Sequence, residues 1–360
     1  MTRNKYTQTR VKRQKPKKKL RKGVFFTFIF VLIAFLSVAG YATYLYVKAD
    51  TALSGSFDDE GREKSDLRET VVDPKFDNVS ILVMGVDENE KRDNAGNSRT
   101  DTLMLATLNK DEKSVKMLSI PRDTLVYLPE AGYETKINHA HAFGGPKSTM
   151  DAAENLLDIP VDYYVKVNFE AFVEVVDAIN GIEVEVPYEF KESNSKDKRD
   201  AIHLMEGIQT LNGEEALALA RTRKKDNDIE RGKRQLEIVK AAINKATSIS
   251  SVLKYDDMIE AVGDNMATTL KFEEMKSLVA YGTSKKGLDI ESLTLDGIDY
   301  QPSGTYYWKV DQASLAETQS ILKEHLELVD TSTETPVEES DPYSEPDQPV
   351  DDSLDDNYEY

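Results

Sequence analysis

Residues 24–47 carry no charge: the run VFFTFIFVLIAFLSVAGYATYLYV lies between Lys22 and Lys48. As a helix, its 24 residues would reach about 36 Å at roughly 1.5 Å each, enough to cross a hydrocarbon core with some tilt. Tyr41, Tyr44 and Tyr46 lie toward its far end, where an aromatic belt is expected. Residues 1–22 hold 11 basic residues and no acidic one. That asymmetry places the N-terminus in the cytoplasm and exports everything beyond Lys48. Ser37-Val38-Ala39 offers the small residues a signal peptidase needs. The apolar run continues past that point, so an uncleaved anchor is the preferred reading over a cleaved leader.

The charge is unevenly placed. The chain of 360 residues has a formal net charge of −19. Its basic front is cancelled by residues 331–360, which hold 11 acidic residues and no basic one. The exported body is therefore itself acidic, which argues against a nucleic-acid binder. The basic arm is too short to fold and suits contact with anionic headgroups. The sequence has no cysteine, which excludes disulfide scaffolds, cysteine nucleophiles and cysteine-ligated metals.

These shifts divide the chain into a basic cytoplasmic arm (1–23), a transmembrane helix (24–47), an extracellular stalk (48–75), one folded domain (76–328) and an acidic disordered tail (329–360). Within the domain, Ile81–Val86, Thr102–Leu108 and Val115–Ile120 are short apolar runs bounded by turn signals, and read as strands. Tyr164–Val167, Ile182–Val186, Ile290–Leu295 and Tyr306–Val310 read as further strands. Leu204–Leu211 is ambiguous. Helical stripes cover Phe169–Ile179 and Gly213–Arg223, with another from Asp228, as its cap, to about Thr247. More follow at about 252–262, 272–281 and 311–328. Intermingled strands and helices predict an α/β domain, a central mixed β-sheet flanked by helices, preceded by one transmembrane helix.

Polar clusters sit at the ends of these elements. They are Asp87; Arg99 and Asp101; Arg122 and Asp123; Lys136 and Asn138; Arg221 and Arg223; and Asp228, Arg231, Arg234 and Gln235. Any one of them is ordinarily a solvated ion pair. Their recurrence in an acidic body carries more weight. Arginine's planar fork suits phosphate oxygens. Asp87 and Asp101 together could hold a hard cation such as Mg²⁺. Arg231, Arg234 and Gln235 are spaced so that one helix face can present all three. Arg122 directly follows a buried strand, where ligand sites of α/β sheets lie. His139 and His141 read as loop residues facing solvent or capping a turn rather than as metal ligands. The sequence shows no Ser-His-Asp signature, Walker loop or dinucleotide fingerprint.

At these residues the chain resembles the LytR-CpsA-Psr family of bacterial cell-envelope enzymes. The carrying segments are ILVMGVD (81–87), SRTDTLMLATLN (98–109), MLSIPRDTLV (117–126), KINHAHAFGG (136–145), VDYYVKVNFEAFVEVVDAINGIEVEVP (161–187), LNGEEALALARTRK (211–224) and DIERGKRQ (228–235). The resemblance implies a membrane-anchored phosphotransferase in the bacterial envelope. Its donor would be a glycopolymer on polyprenyl pyrophosphate and its acceptor peptidoglycan, with polyprenyl phosphate leaving and no nucleic-acid partner. It implies an Mg²⁺ (or Mn²⁺) site at Asp87 and Asp101. It implies catalytic roles for Asp101, Arg99 and Arg122. Pyrophosphate binding would fall to Arg99, Arg122, Lys136, Asn138, Arg221, Arg223, Arg231, Arg234 and Gln235, supported by Asp123 and Asp228. Two departures stand out. The loop after Asp87 is long and charged, and Ile229-Glu230 replaces a Phe-Gly common in the family. A non-catalytic regulatory or adhesive surface protein and a polyprenyl-pyrophosphate hydrolase remain as alternatives.

Overall fold

The computed structural model describes residues 40–86, 98–225, 227–247, 265–282 and 288–328. The arm 1–23, the tail 329–360, the helical stripe at 252–262 and most of the apolar run 24–47 lie outside the described residues. Among the described residues no helix is long and apolar enough to cross a membrane. The end of the run continues as helix α1, residues 40–55.

The frame is a six-stranded mixed sheet. Its strands are β1 (Val79–Val86), β2 (Thr100–Asn109), β3 (Ser114–Ser119), β6 (Tyr163–Asn168), β11 (Met266–Thr268) and β12 (Asp289–Thr294), in the order β11-β6-β1-β2-β3-β12. β1 pairs with β6 in parallel and with β2 antiparallel. β2 pairs antiparallel with β3, and β3 runs parallel to β12. Two-stranded pieces lie around this frame: β4 (Leu125–Leu128) with β5 (Tyr133–Lys136), β7 (Ile182–Val186) with β10 (Gly207–Leu211), β8 (Phe190–Glu192) with β9 (Ile202–Leu204), and β13 (Gly297–Tyr300) with β14 (Tyr307–Val310).

Strand alternation assigns the two faces. Leu82, Met84, Leu103, Leu105 and Leu118 enter one core with helices α2 (His139–Leu157) and α7 (Gln312–His325). Ile81, Met104, Val115 and Met117 enter the other, with Leu236 of α5 (Asp228–Ala246) and Met275 and Leu278 of α6 (Phe272–Gly282). A third cluster joins α3 (Phe169–Ala178), α4 (Gly213–Arg221) and the β7–β10 pair. The expected layering of helices on a mixed sheet is present. The ambiguous stretch at 204–211 is strand: β9 ends on Leu204, and β10 follows.

Three readings need correction. Asn227, not Asp228, caps α5: its side chain accepts from Glu230 N at 3.0 Å. Asp228 is the first helical residue, and its carboxylate turns to Arg231 instead. His139 and His141 open helix α2 rather than sitting on a loop. His141 is buried and its Nδ1 donates to Ser98 O at 2.8 Å. Finally, part of the supposed stalk lies against the domain. Arg62 Nη2 meets the buried Glu154 at 2.6 Å, Arg68 holds both oxygens of Asp162 at 2.8 and 2.9 Å, and Phe57 bridges to Thr268 in β11. These contacts cross more than 90 positions of sequence, so local composition could not signal them.

Candidate active site

The sheet gathers the polar clusters at one end. β1, β3 and β6 run the same way, and β2 runs against them. The ends of β1, β3 and β6 therefore lie beside the start of β2. Gly85 lets β1 close on β2 there: a Cβ at 85 would come within 3.0 Å of Thr102 Cβ. Asp101 stands at the start of β2 and Arg122 just past β3. Their side chains meet, Arg122 Nη1 to Asp101 Oδ1, at 2.5 Å.

Helix α5 delivers the next residues. Gly232 packs against β3 so closely that a Cβ would lie 2.4 Å from Ser119 Oγ. This contact lays the first turns of α5 over the strand ends. Arg231 is buried there, with Nη2 on Asp228 Oδ1 at 2.8 Å and on Asp101 O at 3.5 Å. Gln235, one turn on, is also buried and donates to Ala220 O at 3.1 Å. α4 closes with Arg221, whose guanidinium stands 5.0 Å above the Phe169 ring. Arg223 follows, half exposed, 3.9 Å from Asp228.

Together they border a cavity of about 550 Å³. Asp101, Arg122, Arg221, Arg223, Arg231 and Gln235 supply its polar wall. The rest is apolar: Val83 and Met104 from the sheet, Phe169 and Phe172 from α3, and Ile238 and Val239 from α5. Burial pushes the Arg231 guanidinium down to about 10; Asp228 opposes that shift, while Arg223 and Arg122 reinforce it. Arg231 remains charged at neutral pH, but it is a cation among cations. Its Nε and that of Arg122 are buried without a hydrogen-bond partner, the latter 3.7 Å from Asp123 Oδ2. Such a wall is stabilised by an anion with several oxygens.

Four expected members stand elsewhere. Arg234 turns away: Nη2 donates to Thr222 O at 2.6 Å and Nε to Leu219 O at 3.3 Å, fastening the last turn of α4. Residues three and four apart share a helix side, but Arg234 takes the edge of that side facing α4. Lys136 pairs with Asp123 at 2.6 Å behind Arg122. Asn138 is buried, and its backbone N–H donates to Arg122 O at 3.2 Å. Arg99 is exposed near His139, whose imidazole pKa is lowered by burial first and then by Arg99 and Lys136. Asp87 lies outside the described residues; it follows Val86, whose partner across the sheet is Thr100. An apolar lipid groove is implied by the resemblance, but its individual residues cannot be picked out of the sequence. Phe172, Ile238 and Val239 sit on helical stripes indistinguishable in sequence from core.

A family model described as LytR_cpsA_psr family matches residues 43–324. The chain is 40% identical over 324 residues to the polyisoprenyl-teichoic acid–peptidoglycan teichoic acid transferase TagT of Bacillus subtilis (strain 168), covering 89% of this chain and 99% of that one. Among solved structures, TagT bound to LIIa-WTA superposes with a TM-score of 0.64 at 40% identity, covering 74% of this chain and 97% of that one. The family protein YwtF (TagT) with bound octaprenyl pyrophosphate lipid superposes with a TM-score of 0.60 at 37% identity, over 74% and 97% of the two chains.

Proposed function

The chain belongs to the LytR_cpsA_psr family, and we propose that it transfers a glycopolymer from a polyprenyl-pyrophosphate carrier to peptidoglycan. The observation that carries this is the cavity's division: arginines at one end, apolar side chains at the other. A pyrophosphate joined to a prenyl chain has the same division.

In this reading the pyrophosphate lies against Arg122, Arg221, Arg223 and Arg231, and the prenyl chain runs between α3, α5 and the sheet. An acceptor hydroxyl oxygen attacks the phosphorus on the glycan side, its proton passing to the Asp101 carboxylate at the cavity mouth. The bond from that phosphorus to the bridging oxygen breaks, and polyprenyl phosphate leaves. Negative charge grows on the bridging and peripheral oxygens, where fixed guanidinium donors stabilise it without reorganising. Asp101 holds the Arg122 fork in place through their ion pair. Gln235 and Asp228 orient the neighbouring α4 backbone and Arg231.

Asp101 also fits the proposed Mg²⁺ or Mn²⁺. Its carboxylate is a hard oxygen donor, 39% exposed at the cavity mouth. Asp87 would be its companion, since its chain neighbour Val86 pairs with Thr100 beside Asp101. A cation bound there would supply further screening of pyrophosphate charge. A donor confined to a membrane also favours an enzyme anchored beside it. The uncharged run 24–47 and the basic arm before it support that placement, with the domain outside the cell.

The full-length chain in detergent, given a polyprenyl-pyrophosphate-linked glycan, uncrosslinked peptidoglycan and Mg²⁺, should label the peptidoglycan and release polyprenyl phosphate. Release without labelling would make it a hydrolase. No turnover with teichoic, capsular or rhamnose-rich donors would sink the catalytic reading.

A further inference from the structure

Attacking and leaving oxygens lie roughly in line across a phosphoryl group in transfer. With the leaving prenyl phosphate directed into the apolar cavity, the acceptor must approach from the opposite side of the arginines. A second, smaller hollow adjoins the arginines, between the start of α5 and the β13–β14 hairpin: its lining includes Asp123, next to Arg122, and Asp228, the partner of Arg231. We propose that this cleft binds the acceptor saccharide. The inference rests on the transferase reading and names where its second substrate sits.

The hairpin is fastened next to the candidate phosphate site. Trp308 N donates to Asp123 O at 2.8 Å, and Thr124 bridges to Trp308. Asp123 is the residue after Arg122. The hollow holds about 50 Å³ and is lined by Asp123, Asp228, Asp299, Tyr306 and Trp308. Asp228 lines this hollow and pairs with Arg231, which lines the larger cavity. One carboxylate oxygen takes Arg231; the other, Oδ2, is buried and has no partner. Trp308 Nε1 is likewise buried without a partner. A buried N–H and a buried carboxylate oxygen left open each cost about 1–3 kcal/mol. Both atoms lie beneath the surface, so the groups a ligand in the hollow would meet are its lining side chains Asp123, Asp299, Tyr306 and Trp308.

The surroundings have the chemistry of a sugar site rather than of an anion or a cation site. Lys136, the nearby cation, is committed to Asp123 and stands 5.8 and 5.9 Å from the Tyr306 and Tyr307 ring centroids. Tyr306 OH donates to Asp299 Oδ1 at 2.9 Å, fixing the ring at the rim. Tyr300, 37% exposed, extends the aromatic surface along the hairpin. Aromatic faces pack against the C–H faces of a pyranose, and carboxylates accept from its hydroxyls. The hydroxyl and acetamido groups of a peptidoglycan glycan strand fit this surface, with the lactyl arm of its muramic acid residues turned away from the carboxylates.

Trp308 is the only tryptophan in the chain, so its emission reports on this cleft alone. The full-length protein in detergent should be titrated with soluble, uncrosslinked oligomers of alternating N-acetylglucosamine and N-acetylmuramic acid, without donor. Wild type should show a saturable change in emission. Tyr306→Ala and Asp299→Ala should each weaken it at least tenfold. In the transfer assay both should raise the KM for peptidoglycan at least tenfold while the KM for the lipid donor moves less than twofold. Tyr306→Phe keeps the ring but loses the Asp299 bond, and should fall between. An unchanged wild-type emission, or Ala variants that bind glycan like wild type, would overturn the proposal. The titration needs no turnover, so a failed transfer assay counts against the transferase reading and leaves the cleft to be decided by emission.

Discussion

Arg122 Nη1 lies 2.5 Å from Asp101 Oδ1, and this ion pair joins the end of β3 to the start of β2 at the mouth of the cavity. The pair is partly exposed, with side chains 21% and 39% accessible, so its worth to folding is small. In the proposed reaction its worth would be a guanidinium already aimed at the incoming phosphate.

Arg122→Ala should therefore cut transfer by about 10²–10³-fold, the cost of losing one preorganised donor to a developing oxyanion. The thermal midpoint should stay within a few degrees of wild type. Single-turnover transfer at a wild-type rate would remove Arg122 from the chemistry.

Arg231 and Arg234 are three residues apart and should behave differently. Arg231→Lys keeps the charge but loses the planar fork beside Asp101 and Asp228, so donor affinity should drop at least tenfold. Arg234→Lys loses the paired grip on Leu219 O and Thr222 O. It should lower the thermal midpoint more than it lowers affinity for octaprenyl pyrophosphate. The two are separated by measuring both quantities on both variants.

Gly232→Ala tests the seating of α5. The new Cβ would press on Ser119 Oγ at 2.4 Å and Ser119 Cβ at 3.2 Å. We expect a loss of about 1–3 kcal/mol, typical of overpacking. Ser119→Gly in the same chain should recover part of it, and strict additivity in urea unfolding would argue against the contact.

His325 gives a pH signature remote from the site. It is buried between Thr107 Oγ1 at 2.7 Å and Ser114 Oγ at 2.8 Å. Burial lowers its pKa from 6.5, with Lys116 helping and Glu112, Glu291 and Glu327 opposing. Below 6.5 the unfolded chain then binds more protons at this residue than the folded one does. Its stability contribution is full above 6.5 and is lost as pH falls through the folded value. His325→Gln should flatten that part of the curve in denaturant titrations from pH 7.5 to 5; an unchanged slope would assign the effect to other groups.

The sequence made the sheet legible because β1, β2 and β3 are short runs of buried aliphatics with turns between them. Helix α2 was not legible. His139–Leu157 contains Gly144, Gly145 and Pro146, and the two glycines leave helical geometry. The same limit hid the candidate lipid wall, since an apolar side chain facing a cavity has the spacing of one facing the core. Arg231 and Gln235 could be placed together from their spacing of one turn. Arg234 shared that spacing but was claimed by two carbonyls at the end of α4, Leu219 O and the cap residue Thr222 O, partners that only the fold supplies. The β13–β14 hairpin was half seen: β14 was expected, but the stitch from Trp308 to Asp123 spans 185 positions.

The ion pairs Arg62–Glu154 and Arg68–Asp162 have a mechanical meaning. They take up the chain between α1 and the sheet, and Tyr46 of α1 meets the Phe272 ring of α6 at 5.5 Å. Residues 57–68 are thus tied to the domain at several points. With the front of α1 fixed in a surface, as proposed, these ties would limit how far the arginine wall could stand from it, like a gauge rather than a bucket on a rope.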